Sequence, residues 1–442
     1  MTLLQPISRV VDLLPPSGNL IYNSTLDEAR AVVARGNARE IASLDGHFAL
    51  VARDGATVRM ARTISRIMRY FIAKFDNGPV LIVSDRIDAI HQWLTAAGVE
   101  DQFHPSYTRM VPAHHLVELR LVGCPDPNPT YQRFFDPPHG TMPADIDVIG
   151  QRYVGAVHAE ITKWLRRLPS GEPVGVCFSG GIDSGAVFLL TYHAMLSLGM
   201  NPARLKAFTL TVDGHGEDTE QAGEFLRAVD LELFLEAIDV PASAVNVGEA
   251  IRVTEDYKPL DVQAAAVNLA LLRGIRARYP DWRYLLDGDG GDENLKDYPI
   301  EEYPELTIRS VLNNPLLYQE GWGVNSIKHS LTYSGGQSRG SARCYAPSAQ
   351  TGFCTLSPYT APAVIAVAED VPFIELTDWD CDLLYGLKGR IVAAGVRSIT
   401  GLAMPIFEKR RFQRGAVGEG AFARLFPGDE PSYRRMFHAL YE

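Results

Sequence analysis

Apolar residues follow two different rhythms along this chain. Up to about residue 140 they come in short runs: Phe48–Ala52 and Val58–Ala61 around the Asp54-Gly55 turn, then Pro79–Ser84, predict strands, and Ile87–Ala97 predicts a helix. The Pro- and Gly-rich stretch Pro125–Thr141, with Asp136-Pro137-Pro138 and His139-Gly140, reads as a connector or domain boundary. Beyond it Tyr153, Val157, Ile161 and Leu165 share one face of a helix expected from about Ile146 to Leu168. Four short apolar runs follow, Val174–Phe178, Leu205–Val212, Leu233–Ile238 and Arg283–Leu286. Helical patterns at Gly185–Leu198, Thr219–Val229 and Asp261–Arg278 lie between them. Such alternation predicts a parallel sheet with helices on its faces. From about Asn313 the periodicity weakens, and the pattern predicts mostly helix with long loops.

At 442 residues two domains are expected, placed here at 1–140 and 141–442. Apolar residues make up 46% and charged residues 21%, ordinary for a soluble globular chain. The net charge of −11, without a basic tail, argues against nucleic acid or an anionic membrane as partner. No apolar stretch reaches the roughly 20 residues needed to cross a bilayer. Met1–Leu14 has polar breaks and no leader-like apolar core, so no secretory leader is expected. The cysteines Cys124, Cys177, Cys344, Cys354 and Cys381 are odd in number and widely spaced, which suits reduced thiols in the cytoplasm.

Three stretches carry candidate chemistry. Ser179-Gly180-Gly181-Ile182-Asp183-Ser184 follows a buried strand and enters a helix. Its hydroxyls and backbone N–H groups, with the helix N-terminus behind them, suit pyrophosphate or the α- and β-phosphates of ATP. A strand-to-helix turn with a serine N-cap accounts for the same residues. The pattern is neither G-x-G-x-x-G nor a loop ending in Gly-Lys-Ser/Thr. Asp287-Gly288-Asp289-Gly290-Gly291-Asp292-Glu293 also follows a strand, and its four carboxylates repel one another unless a cation or hydrogen bonds offset them. In a parallel sheet both loops lie beyond the carboxyl ends of strands, where Asp183 and Asp292 would share one or two Mg²⁺ ions; a solvated acidic turn is the plainer account. The third stretch is basic: Lys388, Arg390, Arg397, Lys409, Arg410, Arg411 and Arg414. Cations there match the charge that develops on a leaving phosphate, and a solvated face fits the same composition.

SGGIDS followed by GDGGDE resembles the asparagine synthetase family, within the pyrophosphate-loop ATP pyrophosphatases. Val371-Pro372-Phe373-Ile374-Glu375 is similar to that family's V-P-F-L-D element, and Lys388 and Lys409, the latter followed by Phe412, fall where the family places two lysines. The resemblance implies an α/β fold whose C-terminal parallel-sheet domain binds adenine nucleotide. That domain would adenylate a carboxylate, release pyrophosphate and let an amine attack the acyl-adenylate. It implies ATP and Mg²⁺ as cofactors, with Asp183 and Asp292 on the metal and Ser179, Gly180, Gly181 and Ser184 on phosphate. Lys409 would meet pyrophosphate and the reacting carboxyl, with Lys388 as the second catalytic lysine. Thr211, Val212, Asp287 and Gly288 are further expected nucleotide-binding positions.

The N-terminal part resembles the family's glutaminase domain, an Ntn-hydrolase-like α+β fold, at Leu44-Asp45-Gly46-His47-Phe48-Ala49 and Ala61-Arg62, where Thr63 replaces an acid. Amide-hydrolysing members expose an N-terminal cysteine; here the sequence begins Met1-Thr2-Leu3 and has no cysteine before Cys124. A degenerate scaffold without glutaminase activity is therefore expected, with free ammonia or a substrate amine as nucleophile. This departure is similar to β-lactam synthetases and lasso-peptide cyclases, so intramolecular cyclisation is the alternative. An inactive nucleotide-binding scaffold is the alternative of another class. Asp289 stands where asparagine synthetases carry Glu and β-lactam-forming members carry Tyr; it would orient the amine or take its proton, with Glu293 supporting it. The acyl substrate is expected to be a small-molecule or peptide carboxylate, and the enzyme a homodimer. Ser330–Pro358, with Arg339, Arg343, Tyr345 and Phe353 and with Tyr359 just beyond it, has the composition of a specificity loop where Arg339 or Arg343 would clamp a second carboxylate; surface exposure or an intersubunit contact explains the same composition.

Overall fold

The computed structural model describes residues 4–123, 127–214, 216–321, 341–407, 416–417 and 419–442. One compact unit runs to Asp136, and a second contains most of the chain from Pro137 onward.

The first unit is built in layers. Strands Ala49–Asp54 and Thr57–Arg62 form the expected hairpin, and His115–Val122 pairs antiparallel with Thr57–Arg62. A second sheet is ordered Arg9–Asp12, Val80–Ser84, Arg69–Ala73, Arg109–Met110. Strand alternation gives each sheet two apolar faces. Val51, Met60, Val117 and Leu119 of one sheet and Tyr70, Leu81 and Val83 of the other share a core. Helix Leu26–Arg35 covers the other face of the first sheet through Ala29 and Val33. Helix Ile87–Ala96 covers that of the second through Ile90 and Leu94. The connector expectation needs one correction. Pro127–Arg133 is an edge strand on His115–Val122, where prolines cost no ladder hydrogen bond because one side of the strand has no neighbour.

The second unit carries a five-stranded parallel sheet: β1 (Val174–Cys177), β2 (Leu205–Val212), β3 (Leu235–Val240), β4 (Tyr284–Leu286) and β5 (Cys354–Leu356). The spatial order is β3-β2-β1-β4-β5, every neighbouring pair parallel. β5 corrects the expectation of helix and loop in that region. The order reverses between β1 and β4, so the loops after these two strands flank the switch point at the carboxyl edge, where ligands of such sheets bind. The expected helices are α1 (Ile146–Leu165), α2 (Ile182–Ser197), α3 (Glu217–Ala228) and α4 (Pro259–Arg278); α5 (Cys381–Thr400) follows later. α2 starts three residues before the apolar pattern does, because Gly181 caps it and Asp183 sits in its first turn. Tyr153, Val157, Ile161 and Leu165 of α1 are all buried, as their spacing predicts.

α1 and α5 meet backbone to backbone. A Cβ on Gly395 would overlap the carbonyl oxygen of Gly150, and one on Gly150 would come within 2.6 Å of the Ile391 carbonyl oxygen. This approach seats the lysine two turns earlier in α5, Lys388, in the interior with 3% exposure. Among the described residues Cys177, Cys344, Cys354 and Cys381 are free thiols, and burial pushes those of Cys177 and Cys344 far upward, as expected of unreactive cysteines. No described helix is long and apolar enough to cross a membrane.

Gly395→Ala is expected to destabilise the protein by about 1–3 kcal/mol, since overpacking against a backbone carbonyl exceeds the helix-propensity gain of about 1 kcal/mol. A lowered urea midpoint at unchanged slope checks this; an equal or higher midpoint contradicts it.

Candidate active site

β1 delivers the chain into Ser179-Gly180-Gly181, with Gly180 in the left-handed region at φ +74°. The Ser179 hydroxyl accepts from Gly181 N–H (3.3 Å) and lies 3.2 Å from the Ser184 hydroxyl. The Ser179 carbonyl accepts from the Gln221 side chain of α3 (3.5 Å). Gly181 caps α2 without a side-chain cap bond, so the positive end of a sixteen-residue helix is left for an anion. Thr211 and Val212 occupy the carboxyl end of the adjacent strand β2, with Val212 buried.

The acidic loop after β4 packs directly onto this turn. A Cβ on Gly288 would stand 2.7 Å from the Ser184 backbone nitrogen, and one on Gly291 would overlap the Asp183 carboxylate. These two glycines let the Asp183 and Asp292 carboxylates share one space. Lys388 enters that space from α5. Its ammonium donates to Asp183 Oδ2 (2.5 Å) and to Asp292 Oδ1, and it lies 3.3 Å from Asp297 Oδ2. Burial pushes the Asp183 carboxyl upward and Lys388 pulls it back, while Asp292 adds a like-charge push. Burial opposes the charge on Lys388, yet three carboxylates hold its ammonium well above the ordinary lysine value. Among the described residues Asp183 Oδ1 is buried with no hydrogen-bond partner. The tyrosine hydroxyl of Tyr359 donates to the Asp183 carbonyl (3.3 Å), and Asn294 bonds the Tyr359 carbonyl (2.9 Å) and the Tyr153 hydroxyl (3.3 Å).

The hard carboxylate oxygens gathered at Lys388, with the buried Oδ1 of Asp183, fit a hard divalent cation. Among the described residues no group of three His, Cys, Asp or Glu is arranged to hold a metal ion by itself.

A second polar cluster surrounds Arg343, whose side chain is 12% exposed. Its guanidinium pairs with Asp289 (2.8 Å) and Glu293 (3.0 Å), and the Tyr298 hydroxyl donates to the same Glu293 oxygen (2.8 Å). Asp287 accepts from Asp289 N–H (3.0 Å). Burial raises Asp289 to about 7, against the pull of Arg343 and with help from Glu293, Asp287 and Asp261. Burial likewise raises Asp287 to about 6. Among the described residues Asp289 Oδ2, Glu293 Oε2 and Arg343 Nε are buried without hydrogen-bond partners.

The structure sorts the basic candidates. Lys388 is in the site, while Arg390 and Arg397 lie on the exposed side of α5. Lys409, Arg410, Arg411, Phe412 and Arg414 lie outside the described residues, as does Arg339. The specificity-loop reading is corrected in its described part. Arg343 is engaged by the protein's own carboxylates, and Phe353 is core. The site roles of Asp261 and Asp297 and the internal role of Arg343 are not evident from sequence. Of these only Asp297, five residues beyond Asp292 in an acidic run, carries a local signal.

Residues 164–346 match the family model of asparagine synthase. Over this stretch the chain is similar to asparagine synthases. The match spans β1 through β4 and both loops, and implies ATP-dependent, amide-ligase-type activity at the family level. No curated protein gives a significant match to the chain.

Lys388→Met removes the cation shared by Asp183, Asp292 and Asp297. Breaking a buried pair in this way is expected to cost about 3–5 kcal/mol near pH 8. The loss should shrink as pH falls, because carboxylate protonation relieves the repulsion. Urea denaturation at pH 8 and pH 5.5 checks both sign and trend; a loss that is equal at both would contradict it.

Proposed function

We propose that the protein is an AMP-forming amide synthetase. It transfers the AMP moiety of ATP to a substrate carboxylate, releasing pyrophosphate, and an amine then displaces AMP to form an amide. The observation carrying this reading is the contact between the Ser-Gly-Gly turn and the acidic loop at the sheet's switch point, with Lys388 between Asp183 and Asp292.

Each part has a task. Backbone N–H groups at the start of α2, with the Ser179 and Ser184 hydroxyls, hold phosphate oxygens. Asp183 and Asp292 would hold Mg²⁺, which supplies charge neutralisation at the phosphates. Lys388 keeps the two carboxylates together and adds positive charge near the α–β bridge. Lys409 is proposed to meet pyrophosphate and the reacting carboxyl, and Thr211, Val212, Asp287 and Gly288 to line the nucleotide site.

In the second half-reaction Asp289 takes the proton of the attacking amine. Its carboxyl, raised to about 7 by burial, is matched to that task near neutral pH. Glu293 and Arg343 fix its orientation through the ion pairs described above. The amine is free ammonia or an amine carried by a substrate. The layered N-terminal unit is proposed to be a glutaminase-like scaffold, and the assembly a cytoplasmic homodimer.

Wild-type protein is expected to release pyrophosphate from ATP only with a suitable acid, and Asp183→Ala to lower that release by about 100-fold or more. ATP binding without turnover across a broad panel of acids would overturn the reading. At equal concentrations of unprotonated amine, the amide-forming rate should rise with pH through about 7, where Asp289 ionises. Asp289→Asn should lower and flatten that profile while carboxylate-dependent exchange of pyrophosphate into ATP continues; an unchanged profile would remove Asp289 from this role.

A further inference from the structure

Lys388 cannot serve a nucleotide site unchanged if its two nearest partners are also the metal-binding carboxylates. Its ammonium is buried at 3% exposure, and it contacts Asp183 and Asp292 in the structure. When a divalent cation takes those carboxylates, the ammonium must keep another anionic partner or stand unpaired in the interior, which is costly. Among the described residues a third carboxylate is within ion-pair distance, that of Asp297 at 3.3 Å.

The backbone around Asp297 is built to hold it there. Its N–H donates to the Asp292 carbonyl (3.0 Å), closing the turn that joins the two residues. The preceding residue, Lys296, adopts a left-handed conformation at φ +57°, unusual for a side chain of that size. That conformation is anchored, because the Lys296 ammonium pairs with Glu369 (3.2 Å) and both side chains are fully buried. Glu369 is fixed in turn by the Gln319 side chain (2.9 Å) and the Leu316 N–H (3.0 Å). Asp297 is thus tied at both ends of a short turn, with its carboxylate directed at Lys388.

We infer that Asp297 is a positioning residue that retains the Lys388 ammonium when Asp183 and Asp292 engage a divalent cation. This rests on the proposed nucleotide site. Asp297 acts through Lys388 and does not bind the metal. It lets the first two aspartates exchange their lysine for a metal while the positive charge of Lys388 stays in place.

The test is binding of Mn²⁺ in the presence of α,β-methylene-ATP, followed by electron paramagnetic resonance on the full-length protein. Wild type is expected to bind Mn²⁺ in a nucleotide-dependent manner, and Asp297→Asn to bind it about 10- to 100-fold more weakly, as outer-shell partners of a metal site do. In a Lys388→Met background, Asp297→Asn should change Mn²⁺ affinity little. Equal affinity of wild type and Asp297→Asn would overturn the inference and leave the nucleotide site standing. So would a full loss that persists without Lys388, since it would make Asp297 a direct ligand. No nucleotide-dependent Mn²⁺ binding by wild type would overturn both. Asp297→Ser, read in the same way, replaces Asp297→Asn if the latter does not fold.

Discussion

A single buried ammonium organises the synthetase-like unit. Lys388 sits among Asp183, Asp292 and Asp297, which come from the start of one helix and from the loop and turn after β4. Like charges this close do not remain together in an interior without a cation between them. The rest follows as geometric consequence. The acidic loop has glycines where it meets the Asp183 turn, and α5 meets α1 through glycines, so the lysine reaches inward. Tyr359 and Asn294 support the backbone from behind.

The same loop faces two electrostatic environments. Around Lys388 three carboxylates gather at one ammonium, the geometry on which the proposed metal and phosphate site rests. Around Arg343 the guanidinium is already engaged by Asp289 and Glu293, and burial is strong enough to lift Asp289 despite that pairing. One stretch, Asp287 to Glu293, thus sets Asp292 against a lysine and Asp289 against an arginine, with the Asp289 carboxyl lifted to about 7. Burial depth and the nearest cation, rather than residue type, separate the two roles.

Much of the sheet was legible because β1 and β4 are short apolar runs, β2 is mostly apolar and β3 alternates apolar with acidic residues, each bounded by turn residues. β5 was not, since Cys354-Thr355-Leu356 is too short to show a period and is a strand only through its pairing with β4. Pro127–Arg133 escaped for the opposite reason: its prolines read as a connector, and only the neighbouring His115–Val122 makes it a strand. Asp183, Asp292 and Lys388 stood out because each lies in a stretch of unusual local chemistry. Arg343 was read as a substrate clamp because sequence does not reveal that its charge is already met.

By itself the sequence determined the alternation of strands and helices, the two glycine-rich loops after buried strands, and the residue types available for phosphate, metal and proton transfer. These are local properties, set by side-chain period and turn chemistry within a few residues. Only the tertiary structure decided which charges meet. Lys388 reaches Asp183 across 205 positions and Asp292 across 96. Such contacts depend on strand order, on the close approach of α1 and α5, and on how deeply each group is removed from water, and no local pattern records any of these.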